Sequence, residues 1–141
     1  MRLALTVALI CLFAIPSGLD AQEAEKWDDV DWYRIVQVDF HNGKAGDARR
    51  TTEEHFMPAG REAGTPTPVM MLWNVTGEWD LTIIWHMQDG PASMEWRRSP
   101  DNVKWWKKFM EREGGEEAAE KIQAEYASLV ARSTSTIARS M

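Results

Sequence analysis

Cysteine, basic charge and long apolar runs are the three things this chain has little of. Its single cysteine is Cys11, so no intramolecular disulfide and no cysteine-rich metal site can form. The 16 Lys plus Arg are outnumbered by 22 Asp plus Glu, for a formal net charge of −6. Nonspecific nucleic-acid binding rests on a basic surface, so that class is excluded, and anionic membranes find little to attract. One stretch is strongly apolar, the thirteen residues Leu3 to Ile15; a bilayer-spanning helix needs roughly 17–25. A phosphate-cradling glycine loop, a Gly-x-Ser-x-Gly elbow and a His-Glu-x-x-His pair are also missing, which leaves hydrolase and nucleotide-enzyme readings without a motif. There is no tandem repeat and no low-complexity tract.

The N-terminus has the anatomy of a secretory signal: Arg2 as a positive start, the apolar run, then the breakers Pro16, Ser17 and Gly18. Ala21 is a small residue at a plausible cleavage point before Gln22, although Leu19 is larger than usual three residues before a cut. The alternative is an uncleaved N-terminal anchor. A lipoprotein signal fits less well, because Ile10 rather than a small residue precedes Cys11. Residues 1–21 are therefore expected to be a signal peptide, and the protein to be secreted or periplasmic, with no stable membrane insertion after the leader is cut. Cleavage removes Cys11 and also one charge of each sign, Arg2 and Asp20, so the net charge of −6 is unchanged. Residues 22–31 read as an acidic, solvated tail. Residues 32–141 are the size of one domain.

All eight tryptophans lie after the leader. At roughly 150–250 Å² each they can bury on the order of 1,600 Å². That much aromatic surface suits either a tryptophan-heavy core with an interface or a pocket with aromatic walls. Trp32 to Phe40 alternates as a strand, with Val36, Val38 and Phe40 on one side and Ile35, Gln37 and Asp39 on the other. His41-Asn42-Gly43 ends it. Val69 to Val75 and Trp79 to Met87 form a hairpin about Gly77, which opposes Val75 to Trp79, Trp73 to Leu81, Met71 to Ile83 and Val69 to Trp85. That register makes one face wholly apolar. The other mixes Asn74, Asp80, Thr82 and His86 with Met70, Leu72 and Ile84, and a one-residue slip would scramble the two sets.

Between these strands, Ala45 to Met57 reads as a helix with Ala45, Ala48, Thr52, His55, Phe56, Ala59 and Ala63 on one stripe. Asp47 caps its start or charges its first turn, and Pro58 kinks or ends it, leaving a further turn closed by Gly64. Thr65-Pro66-Thr67-Pro68 is a stiff connector. After a loop from Gln88 to Arg98, Ser99-Pro100-Asp101 starts a helix with Val103, Trp106 and Phe109 or Met110 inward. Gly114-Gly115 interrupts it. Glu116 to Arg132 resumes, with Ala119, Ile122, Tyr126, Leu129 and Val130 inward, and Ser133 to Arg139 is a closing strand. The order is βαββαβ. The expected fold class is α+β, a ferredoxin-like sandwich with a four-stranded antiparallel sheet and helices on one face.

This order across Trp32 to Arg139 resembles the dimeric α/β-barrel superfamily, nearest in style to NIPSNAP-like and antibiotic-biosynthesis-monooxygenase-like domains. Glu54-His55-Phe56-Met57-Pro58 followed by Gly64 is similar to the way their first helices end, and a third strand leading to a Ser-Pro-capped helix adds to the likeness. No catalytic motif of any one member is matched. The resemblance implies a homodimer with sheets packed face to face and, where a ligand binds, a pocket between helices and sheet. Members include cofactor-free monooxygenases, haem-handling proteins and proteins without known activity.

The candidate catalytic residues are His55 and His86. His55 sits on the apolar stripe, where a neutral imidazole can act as base or ligand. His86 sits at a strand end near Thr82. Each also has an ordinary account as a boundary histidine satisfied by one hydrogen bond. Tyr33, Asn74, Thr82 and Trp106 are the candidate ligand-binding residues. Asp39 and His41 are two apart but more simply belong to a solvated turn, and no metal site is expected. Trp105-Trp106-Lys107-Lys108 suggests base stacking, yet neighbouring helical residues point about 100° apart, so the pair does not make a platform. No cofactor is expected, with haem left open as a ligand. Three readings remain: an exported protein binding a small apolar or aromatic molecule, a cofactor-free oxygenase on the same pocket, and a non-catalytic structural homodimer.

Overall fold

The computed structural model describes residues 24–141; the leader and its cleavage point lie outside the described residues. Strand β1 (Trp32–Phe40) is followed by helix α1 (Ala45–Thr51), a π-helical segment (Thr52–Phe56) and helix α2 (Met57–Ala63). Strands β2 (Met70–Trp73) and β3 (Leu81–His86) come next, then a 3₁₀ turn (Gly90–Glu95), helix α3 (Pro100–Glu113), helix α4 (Glu116–Leu129) and strand β4 (Val130–Arg139). The sheet order is β2-β3-β1-β4, and the β1–β3, β1–β4 and β2–β3 pairs are antiparallel. This is the ferredoxin-like α+β arrangement that the element order implied.

The hairpin register is the one that keeps the apolar set together. Met71 opposes Ile83 and Trp73 opposes Leu81, while β1 places Val36 opposite Ile83 and Val38 opposite Leu81. These side chains pack with Phe40 against Ala45 and Ala48 of the first helix and Tyr126 and Leu129 of α4. Leu81 is fully buried, a burial that stabilises by about 1.5–3 kcal/mol. Asp80 locks the edge of this layer: its carboxylate accepts the Phe40 backbone N–H at 2.9 Å. Arg132 ties β4 to β1 and to the β2–β3 turn, donating to Asp39 at 3.0 Å and Glu78 at 2.7 Å.

Two elements differ from the periodicity reading. Pro58 does not end the first helix. The Met57 N–H reaches back five residues to the Thr52 carbonyl, so a wide π turn precedes the proline and the chain stays helical to Ala63. Gly64 then closes it in the left-handed region at φ 64°, where a residue without Cβ is favoured. Strand β4 begins at Val130, three residues before the expected start, because Val130 already pairs with Phe40. Of the two roles open to Asp47, the structure shows the second: it lies in the first turn of α1, beside Lys44 and Arg50.

A second apolar cluster forms between helices. Ala59, Phe109 and Ala119 are fully buried and are packed by Phe56, Trp105, Trp106, Met110 and Ile122. Ser99 caps α3 as expected, its hydroxyl accepting the Asn102 N–H at 3.2 Å. Val103 faces outward at 52% exposure; the stripe runs through Trp105, Trp106 and Phe109 instead. Among the described tail residues, Trp27 lies over the Arg139 guanidinium at 3.6 Å. Among the described residues no helix is long and apolar enough to cross a membrane.

Candidate functional site

The two apolar clusters meet through rings but do not close on each other. Tyr126 of the sheet cluster and Phe56 of the helix cluster are 4.9 Å apart in an edge contact, and Trp105 and Phe109 stack at 4.9 Å. Beside this junction lies a cavity of about 680 Å³, within the ~300–1,000 Å³ range of small-molecule sites. Three elements shape it. The hairpin register turns Met71, Ile83 and Trp85 toward the helices. The π segment supplies Thr52 and Phe56. The first turns of α3 bring Asp101, Asn102 and Trp105. The connector Thr65–Pro68 and Arg61 border the opening, where Arg61, Pro66, Thr67 and Asn102 are exposed. A proline-stiffened connector keeps that rim extended.

Tyr126 also borders the cavity. Burial pushes its phenol above the ordinary value of about 10, and the neighbouring Thr52 hydroxyl pulls it partly back. The phenol is thus a neutral hydrogen-bonding group at physiological pH. The Trp105 indole N–H donates to the Phe56 carbonyl at 3.3 Å, fixing one aromatic wall against the π segment.

A smaller recess of about 320 Å³ lies on the other side of Tyr126, lined by Asp47, Arg50, His55 and Glu125 among others. His55 projects here from the π segment. Its Nδ1 lies 3.0 Å from a Glu113 carboxylate oxygen, and the glutamate side chain is 12% exposed. An ionised carboxylate accepts only, so the hydrogen of this contact is carried on Nδ1.

The expected site residues are not gathered in one place. His86 lies on the open face of the sheet, 3.1 Å from Asp31, with its ring 5.7 Å from that of Tyr33. His55 belongs to the helical layer on the other side of the sheet. The Asn74 side chain donates to the Trp79 carbonyl at 2.8 Å and to the Thr82 hydroxyl at 3.2 Å, so both residues brace the hairpin. Trp106 packs on Phe109 in the helix cluster, with ring centroids 5.7 Å apart. Asp39 is held by Arg132. No group of three or more His, Cys, Asp or Glu residues is placed to hold a metal ion among the described residues. None of the expected site residues borders the cavity; Phe56, Arg61, Trp85, Asn102, Trp105 and Tyr126 do, and were not singled out as site residues from sequence. For two of them a signal existed: Trp85 was on the dry hairpin face, and Tyr126 brought a hydroxyl to an inward helical position.

No protein-family model matches the chain, and no curated protein matches it. Among solved structures, the chain is similar to two crystal structures of one Agrobacterium tumefaciens protein, a NIPSNAP family protein with unknown function. One aligns with TM-score 0.52 at 13% identity over 78% of this chain and 87% of that one. The other aligns with TM-score 0.51, also at 13% identity, over 76% and 90%. At this identity the likeness shows the fold: a ferredoxin-like α/β domain of the kind found in NIPSNAP family proteins. Function is argued from the site.

Proposed function

We propose that the chain is an exported small-molecule-binding protein that takes a flat apolar or aromatic ligand between its helices and its sheet. One observation carries the reading: a 680 Å³ cavity bordered by Phe56, Trp85, Trp105 and Tyr126, a size and lining suited to such a molecule. The test uses a neutral probe, methyl 2-naphthoate, followed by calorimetry. Wild type binds it with micromolar to millimolar affinity. Met71→Trp, which fills the cavity from its sheet wall, abolishes binding while the far-UV spectrum is kept. Binding that survives Met71→Trp, or no binding to wild type, overturns the proposal. Export is checked separately by the mass of the protein recovered outside the cytoplasm, which should begin at Gln22.

We further propose that two copies pair through the open sheet face. Met70 and Leu72 are 48% and 46% exposed there, beside Ile84, a short apolar row that no helix covers among the described residues. Sedimentation equilibrium should give a dimer, and Leu72→Lys a monomer; a wild-type monomer would sink this pairing. The oxygenase alternative requires a histidine at the bound substrate. Neither His55 nor His86 borders the cavity, so the geometry favours binding over that chemistry.

A further inference from the structure

We infer that the ligand is an organic anion: an aromatic or aliphatic body lying in the cavity, with a carboxylate or similar acid group held at the opening by Arg61. This deepens the cavity reading and rests on it. The rim carries two charged side chains, Arg61 and Asp101. Asp101 is engaged by Lys104 at 3.8 Å. Arg61 forms no ion pair among the described residues, whereas Arg112, one helix away, is paired with Glu62, the residue next to Arg61. Arg61 thus borders the opening with no ion-pair partner among the described residues, and a guanidinium carries the donor fork that suits a carboxylate. Asn102 stands at the same rim. Its backbone N–H is taken by Ser99, which leaves the side-chain amide as a second donor.

The remainder of the cavity selects the body of the molecule. Trp85, Phe56 and Trp105 offer ring faces and edges, and Met57 and Met71 offer adaptable apolar contact. The Tyr126 hydroxyl, beside that of Thr52, is an uncharged polar group among these walls. A dicarboxylate would bury its second charge against it without a cation, at a large desolvation cost. A single acid group on an apolar body fits both ends. The chain as a whole carries a net charge of −6, so an anion gains nothing from long-range attraction. Any preference for it must come from Arg61 itself.

That last point makes the inference sharp. Binding of 2-naphthoate, its neutral methyl ester and the cationic 2-naphthylmethylammonium is compared by calorimetry at neutral pH and low salt. The expected order is acid first, by about tenfold over the ester, the size of one charge-assisted contact. Arg61→Gln removes that gap, so that acid and ester bind alike; Arg61→Lys keeps part of it. Equal affinity for acid and ester overturns the inference while the cavity reading stands. A gap that persists in Arg61→Gln, or tightest binding of the cation, does the same. If none of the three probes binds, or if Met71→Trp still binds them, the cavity reading fails and the inference fails with it.

Discussion

The sheet cluster and the helix cluster are built by different rules from similar residues. The first is a flat layer. Its members alternate along β1, β2 and β3, and a single register decision places Val36, Val38, Trp73, Leu81 and Ile83 on the covered side together. The second is a junction of helices around Ala59 and Ala119, small enough for the helices to approach, with Phe109 as the one large side chain fully buried among them. A layer fixed by a ladder of hydrogen bonds tolerates little adjustment. A helix junction depends on side-chain shape. The cavity opens where the two kinds of packing fail to merge, and the π segment that carries Phe56, Thr52 and His55 is the element they share.

If the comparison is right, the helix junction is the more vulnerable to truncation. Phe109→Ala should cost about 3–5 kcal/mol, since Phe56, Trp105 and Trp106 all rest their rings on Phe109 within 6 Å. Leu81→Ala should cost about 2–5 kcal/mol and lie toward the lower end, because the strand ladder holds its neighbours in place. Urea unfolding of both variants reads the difference. A single transition in each would show that the clusters unfold as one unit. A biphasic curve for Phe109→Ala alone would show that the helix junction melts separately. A larger loss for Leu81→Ala would reverse the assignment of the weaker cluster.

The same contrast explains what the sequence alone makes legible. The sheet was legible because alternation has one strong alternative, the one-residue slip, and that slip mixes Asn74 and His86 into the dry face. Gly77 at the turn settled the pairing, and every observed β2–β3 pair follows it. Ser99-Pro100-Asp101 was legible for a similar reason: three residues agreed on one helix start. The π segment was not legible. A wide turn before Pro58 leaves the 3.6-residue stripe nearly intact, so sequence periodicity cannot distinguish it from a kink. Val103 was misplaced because a hydrophobic residue at the right interval counts as inward, while Trp105 and Trp106 can turn their larger surfaces to the core instead. The cavity rim was invisible for a physical reason. Arg61 and Asn102 are 41 residues apart in sequence and meet only through the packing of α2 on α3. The histidines drew attention by chemical type, and type does not report position.

Tyr126 tests the junction more gently. Tyr126→Phe keeps the ring contact with Phe56 and removes the hydroxyl beside Thr52, so stability at neutral pH should change by about 0.5–1.5 kcal/mol. The alkaline limb distinguishes the two proteins further. Burial raises the folded phenol above the unfolded value, so below about pH 10 both states hold the proton and the contribution is complete. As the pH climbs past that value the unfolded chain releases its proton first. The wild type then loses stability until the folded phenol also titrates, and the phenylalanine variant lacks this component. Chemical denaturation at successive pH values should therefore show the wild type falling more steeply above pH 10; parallel curves would remove Tyr126 from the buried junction.

The smallest expected effect concerns the point where α2 packs against Trp105. Gly60 is buried in α2, and a Cβ built there would meet the Trp105 ring at 3.6 Å and the Thr65 hydroxyl at 3.7 Å, ordinary van der Waals distances. Nothing in its backbone requires glycine, so Gly60→Ala should stabilise the fold by about 0.5–1 kcal/mol through reduced freedom of the unfolded chain. The contrast is Gly90, where φ is +54° and a Cβ would lie 3.1 Å from the Trp32 ring, so Gly90→Ala should destabilise. Gly60 also borders the cavity. The added methyl should therefore raise the melting temperature and weaken binding of methyl 2-naphthoate in the same protein. A gain in both would mean that the space beside Trp105 is not where the ligand lies. A loss in both would mean that the α2–Trp105 contact is already as close as it can be. A stabilised protein that binds less well is the outcome that ties the vacancy between the clusters to its use.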